Sequence, residues 1–494
     1  MSHLFKKNLR IYYNTFKIII FFFILFLFVN GFNNYQGNKI IYLLFSIISN
    51  FLIYFSFRKD SIFFETFFGI FLWLGFWFKF TCTISFTDGL FREGVGLFNY
   101  SSTSFDKTLI LSQIGMVAFI LAGYFRQLFL FQYPKKITFF SKKNNFFTNN
   151  RIKIWTIFFV FFSFIAISNF YLKIYQKGLL PVYDFNFLFS GIYKWLLLFG
   201  LTTISTIIIF FEIRNFKKFF TISAIIIFFE TFISAFSMLS RGMIFNAFAV
   251  LYGVYKFTKK INCKIEIKNY FKSILIIFIL FYISVFSVNY IRANFFYVGK
   301  SAEFAKDKKE NMIIEKKRKK YDTISKNNSE ILYLLINRWV GIDGVMAVSS
   351  KEEILSKKFL LDSFRERPNI DGPTLYELKF NLEYLDDSRH LYSNVKGNTL
   401  PGIIAFLYYS GSSFFLFFGF FVLTILASSI EYFSFKMSGR NLIFSSLIGQ
   451  IIAFRFIHFG YLPHQSYLLF GTIIVTIFML YILKIYLKNK MIDE

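Results

Sequence analysis

Runs of about 17–25 apolar residues recur along the whole 494-residue chain, and they restrict the fold more than any other feature. A helix needs about twenty such residues to cross bilayer hydrocarbon. In lipid, only helices and closed barrels satisfy every backbone polar group. With 55% hydrophobic and 23% aromatic residues, a water-soluble domain of this length would expose far too much apolar surface. The expected fold is all-α: a polytopic helical membrane protein of about 12 transmembrane helices. Predicted span cores are 18–29, 40–57, 62–80, 109–131, 154–171, 193–211, 219–238, 243–257, 273–290, 403–428, 442–457 and 467–487. The first run has a basic start but no small-residue cleavage site, so it reads as a retained helix.

Charge sets the orientation. With the N-terminus in the cytoplasm, the even connections and both termini lie inside. They hold Lys6, Lys7 and Arg10, Arg58 and Lys59, Lys135 to Lys153, Arg214 to Lys218, Lys256 to Lys268, Lys436 and Arg440, and Lys484 to Lys490. The short outside connections hold a handful, among them Lys39, Arg92, Lys107, Lys173 and Lys177. This alternation supports an even number of spans. It also accounts for the net charge of +28 as lysines facing anionic lipid, so no nucleic acid is expected as a partner. Cys82 and Cys263 fall on opposite sides, and no disulfide between them is expected.

One segment breaks the pattern. Residues 291–402 are polar and, at on the order of a hundred residues, too long for an ordinary connection. They are expected outside, dividing the chain into helices over 1–290, a large loop over 291–402 and helices over 403–494. Long loops escape the charge rule, so KKRKK at 316–320 does not oppose this.

Ionisable residues at span ends on one side mark a functional face. The outside face holds Asp88 and Arg92 in TDGLFREG, Arg241 in the tight SRG turn and Arg292 in NYIRAN. It also holds Arg338, Trp339 and Asp343 in NRWVGIDG, His390 in EYLDDSRH, and Arg455, His458 and His464 in FRFIHFGYLPHQ. Guanidinium suits a phosphate or pyrophosphate because it forms forked hydrogen bonds and stays charged. Each position has a plainer reading beside this one. Arg241 snorkels at the interface, or helps to bind an anion where Gly242 turns the chain sharply. Arg338 pairs with Asp343, or faces a ligand. His458 and His464 are interfacial ring side chains, or general bases. Arg365 and Arg367 read as a solvated face. No cofactor and no metal are expected.

The SRG turn at 240–242, NRWVGIDGVMAVSS at 337–350 and LPGIIAFLYYSGS at 400–412, with the late outside loop, resemble the bacterial O-antigen polymerases, the Wzy-type oligosaccharide repeat-unit polymerases. The resemblance implies a fold like the C-type membrane glycosyltransferases (GT-C), in the bacterial inner membrane, with the loop periplasmic. It implies a metal-independent, inverting transfer of the growing glycan from undecaprenyl pyrophosphate to a new lipid-linked repeat unit. Arg241, Arg292, Arg338 and Arg455 would hold the pyrophosphate. Asp343, His390, His458 and His464 would be candidates for the catalytic base, and Asp88, Arg92 and Trp339 would contact substrate. Membrane lipid, a chain-length regulator and a flippase would be the partners.

Three rivals stand beside this reading, one of them a structural membrane subunit of a polysaccharide assembly complex with no catalysis. An O-antigen ligase differs only in acceptor. A lipid-linked-oligosaccharide flippase would carry charges along a central path and two related halves, whereas the spans read as almost uncharged inside and no repeat is visible.

Overall fold

The computed structural model describes residues 2–87, 89, 91, 95–137, 145–177, 186–261, 263, parts of 275–291, 336, 339–367, 374–380, 400–460 and 462–490. Among the described residues every regular element is a helix. Eight helices are long and apolar enough to cross a membrane: Lys17–Asn34, Lys39–Ser56, Phe63–Phe86, Ser102–Leu130, Phe146–Leu172, Leu188–Phe216, Ser413–Met437 and Pro463–Tyr486. The chain is a helical membrane protein. Thr221–Ser237, Ile244–Lys260 and Leu442–Ile457 occupy three more predicted spans with 16 or 17 residues each. At 1.5 Å per residue these reach only about 25 Å. Ile279–Val288 covers part of the predicted span at 273–290.

The predicted span at 403–428 is corrected. A short helix, Gly402–Leu407, passes through one 3₁₀ turn and stops at Gly411, whose φ is +72°. The long helix then starts at Ser413 and runs to Met437. The apolar run LPGIIAFLYY is therefore a buried half-helix. Left-handed backbone at Gly411, followed by the Ser412 side chain accepting from the Phe415 N–H at 3.3 Å, ends one helix and opens the next.

Burial separates inner from outer helices. Leu188–Phe216 is 78% buried and Phe63–Phe86 72%, whereas Lys17–Asn34 is 11% and Pro463–Tyr486 17%. The last two therefore face lipid along most of their surface. Two apolar cores form. One gathers Phe45, Phe64, Phe68, Phe119, Ile404 and Phe420. The other gathers Phe162, Leu197, Ile209, Ile227 and Val250. Helix Leu442–Ile457 joins them, with Leu442 and Ile443 in the second and Phe444 to Ile457 in the first. Ile342, Val345 and Met346 also belong to the first core, so this part of the long loop packs into the bundle. Cys82 and Cys263 are not joined in a disulfide.

The expectation of nearly uncharged span interiors is corrected at six fully buried positions among the described residues: Glu65, Lys79, Arg126, Glu212, Glu230 and Glu431. Four lie at the lysine-rich end. Arg126 forks onto Glu65 with Nε to Oε1 and Nη2 to Oε2, both 2.9 Å. Arg58 joins the same carboxylate at 2.8 Å. Glu431 accepts the backbone N–H groups of Phe63 and Phe64, at 2.9 and 2.5 Å, and the Tyr133 hydroxyl at 2.6 Å. The carboxylate thus caps a helix N-terminus, where the backbone dipoles favour negative charge. Glu212 accepts from Arg151, from Trp155 Nε1 at 2.9 Å and from Ser223 at 2.6 Å. Glu230 sits mid-helix and accepts from Thr202 at 3.1 Å and Ser234 at 3.3 Å.

Candidate functional site

The opposite end of the bundle carries the loop segments. The Ser240-Arg241-Gly242 turn joins Thr221–Ser237 to Ile244–Lys260 through one 3₁₀ turn, Arg241–Met243. The turn is as tight as the sequence indicates, but its left-handed residue is Leu239, with φ +51°. Gly242 serves a different purpose from the one expected of it. A Cβ there would lie 2.9 Å from Phe454 Cζ, so the absent side chain lets the turn close onto that ring. Asn169 fixes the turn further, donating to the Ser237 carbonyl at 3.0 Å and to its hydroxyl at 2.8 Å. The Lys177 N–H donates to the Met238 carbonyl at 2.9 Å.

Phe454 is the hub of the site. His458 stacks on it at 4.1 Å, and His458 Nδ1 bonds to the Phe454 carbonyl at 2.8 Å. Lys177 Nζ lies 5.7 Å from the Phe454 ring centre. Phe71 and Phe245 complete the cluster, at 5.9 and 6.0 Å from the Phe454 ring, and Trp339 packs on both. One turn before His458, Arg455 donates Nε to Ser466 Oγ at 2.7 Å and Nη2 to the Leu462 carbonyl at 3.4 Å. Both acceptors are neutral. Among the described residues Arg455 has no carboxylate within ion-pair distance. Burial first, then the charges of Lys177 and Arg455, pushes the His458 imidazole down to about 3, against the pull of the Phe454 carbonyl. The ring is therefore neutral at physiological pH. With Nδ1–H given to that carbonyl, Nε2 is left as its acceptor.

A second anchor holds the loop to this end. Lys79 pairs with Asp343, and its Nζ also donates to the Trp339 carbonyl at 3.1 Å. The contact follows a π-helical segment, Trp73–Phe78, a distortion that widens the helix and re-aims its residues. Backbone meets backbone beside it. A Cβ on Gly75 would lie 2.1 Å from the Val340 oxygen, and one on Gly341 2.5 Å from the Gly75 oxygen. Glycine at both positions lets Trp339 to Asp343 lie against the helix. Asp343 thus binds a buried cation, and its described contacts are those of an anchor.

Helix Lys357–Arg365 covers part of the same end. Phe364 packs on Phe406 at 4.9 Å, and Tyr467 donates to the Phe364 carbonyl at 3.1 Å. Ser466, which holds Arg455, is the neighbour of Tyr467. Past this helix, Glu366 Oε1 accepts the Leu375 N–H at 2.7 Å. Burial, reinforced by the nearby Glu377, raises its carboxyl to about 6, although the Leu375 N–H opposes the shift. Sequence reading passed over Glu366 because it sits in the charge-rich DSFRERP stretch. It passed over Lys177 because that residue looked like one outside lysine among several. Arg365 and Arg367 are exposed, as read.

Of the predicted site residues, the structure brings Trp339 and His458 into the ring cluster around Phe454, with Arg455 next to it in the chain, while Asp343 sits at the Lys79 anchor. His464 lies half-buried in the first turn of Pro463–Lys490. The side chain of Arg241 lies outside the described residues, as do Asp88, Arg92, Arg292, Arg338 and His390. No protein-family profile, no curated protein and no solved structure matches this chain.

Proposed function

We propose that this end of the bundle binds the pyrophosphate of a lipid-linked oligosaccharide, and that the chain polymerises undecaprenyl-pyrophosphate-linked repeat units at the periplasmic face of the bacterial inner membrane. One observation carries the reading. Arg455 and Lys177 flank a neutral histidine at a membrane-end site, and Arg455 is held in place by a hydroxyl and a carbonyl instead of a carboxylate. Among the described residues its positive charge is positioned but not cancelled. An anion that arrives there meets a pre-oriented donor, which is the arrangement that stabilises a departing pyrophosphate. The Arg241 turn closes onto the same Phe454 ring, and Arg338 precedes Trp339 directly in the chain.

The reaction is a displacement at an anomeric carbon. The acceptor hydroxyl oxygen forms the new glycosidic bond as the bond from carbon to the pyrophosphate oxygen breaks. The electron pair leaves on undecaprenyl pyrophosphate, and the hydroxyl proton passes to a base. Arg455 and Lys177 stabilise the leaving charge, and a single displacement inverts the anomeric centre. Glu366 is the base best tuned among the described carboxylates of the loop end, since a value of about 6 keeps it ionised near neutral pH yet basic enough to take a proton. The loop segments anchored by Lys79 and Tyr467 position the acceptor.

The test is reconstitution. Purified protein is supplied with undecaprenyl-pyrophosphate-linked repeat units and the products are resolved on a gel. A ladder of chain lengths is expected. Transfer only after lipid A core is added would replace the polymerase reading with a ligase. Movement of the lipid-linked sugar between leaflets, with no ladder, would replace it with a flippase.

A further inference from the structure

A second site lies at the lysine-rich end, on the lipid-facing side, away from the proposed chemistry. Helices Asn145–Leu172 and Thr221–Ser237 pack together there and leave a groove of about 230 Å³ between their ends. Trp155, Thr156, Phe159, Ile222 and Ile226 line it, with Arg151 at its mouth. Phe159 is 45% exposed and Ile222 58%, so the groove opens sideways to the acyl region instead of to water.

The mouth is cationic and incompletely neutralised. Arg151 gives Nε to Glu212, while its Nη2 is buried with no hydrogen-bond acceptor among the described residues. Glu212 is already occupied by Trp155 and Ser223. The Arg151 guanidinium lies 3.8 Å from the Phe220 ring centre, and Lys218 Nζ lies 5.9 Å from the same ring. Two cations thus converge on one ring beside an apolar slot, and Arg151 is the one paired with Glu212.

We infer that this groove binds one anionic phospholipid of the leaflet at the lysine-rich end. One acyl chain lies along Trp155, Phe159 and Ile226, and the phosphodiester reaches Arg151 and Lys218. Charge complementarity selects the occupant. A zwitterionic lipid fits the slot equally well, but it brings a cationic headgroup to two cations. A guanidinium with an unused donor also matches phosphate oxygens better than it matches carbonyl esters.

The experiment is native mass spectrometry of the full chain released from bilayer nanodiscs of phosphatidylglycerol and phosphatidylcholine in equal amounts. The wild type is expected to retain one phosphatidylglycerol at about tenfold higher occupancy than phosphatidylcholine. Ile226→Trp fills the slot without touching the Arg151–Glu212 pair, and should remove that retained lipid while the protein still elutes as a single species. Lys218→Gln should weaken retention about fivefold. Equal retention of the two lipids, an unchanged bound lipid in Ile226→Trp, or displacement of the lipid by millimolar inorganic phosphate would each overturn the inference.

Discussion

Arg126 and Arg455, at opposite ends of the bundle, are held in different ways. At the lysine-rich end the buried carboxylates are matched by guanidinium, backbone N–H or hydroxyl donors. Glu65 holds two arginines, and Glu431 caps a helix. At the loop end Arg455 is half-buried and, among the described residues, is held by neutral acceptors, with Lys177 across the Phe454 ring. Burying a charge costs several kcal/mol unless it is paired. Arg126 shows that this bundle can meet a buried guanidinium with a carboxylate. On the proposed function, Arg126 fixes helices together and Arg455 keeps its charge for a ligand.

Breaking the matched end should give the largest effect. Glu65→Gln leaves Arg58 and Arg126 without their common carboxylate in a buried site. A loss of about 3–5 kcal/mol is expected, read as a fall in the thermal midpoint of the protein in detergent. A midpoint unchanged from wild type would remove the structural half of the comparison. Next comes the loop anchor. Asp343→Asn keeps the shape but leaves the Lys79 ammonium with a neutral partner, and chain growth should fall by about 10²-fold because Trp339 to Asp343 are no longer held in place. Lys79→Met in the same background should restore part of the stability without restoring the rate. Full activity in Asp343→Asn would show that the anchor is dispensable.

Glu366 sharpens the comparison through pH. Its carboxyl stands at about 6, above the ordinary carboxylate range. As a base it works ionised, so the rate should fall as pH drops through about 6 and level off above it. Glu366→Gln should slow chain growth by about 10²-fold and remove that acid limb. His458, at about 3, should add no inflection between pH 5 and 9. An acid limb that persists in Glu366→Gln would assign the base elsewhere.

Much of this architecture was legible in the chain, because span length and lysine placement are local signals. The runs at 40–57, 109–131 and 467–487 become Lys39–Ser56, Ser102–Leu130 and Pro463–Tyr486. What escaped depends on distant partners. Lys79 reads as a lone cation in an apolar run, yet its partner is 264 residues away. Glu431 reads as a charge in a span, and only the fold brings it to the N–H groups of Phe63 and Phe64. The half-helix at Gly402–Leu407 is as apolar as a span, and nothing in its hydropathy reveals the stop at Gly411. Arg455, His458, Trp339 and the 241–243 turn were picked out as single residues at span ends. Their meeting at Phe454 required three helices to converge.

The most direct test of the central claim is pyrophosphate binding by wild type and Arg455→Gln. Each protein in detergent is titrated with geranyl pyrophosphate by calorimetry, beside its thermal midpoint. The account predicts saturable binding by wild type, at least about tenfold weaker binding by Arg455→Gln, and a midpoint that stays close to wild type. Equal affinity in the two proteins, or a midpoint that falls as far as that of Glu65→Gln, would contradict it, since Arg455 would then be one more structural charge.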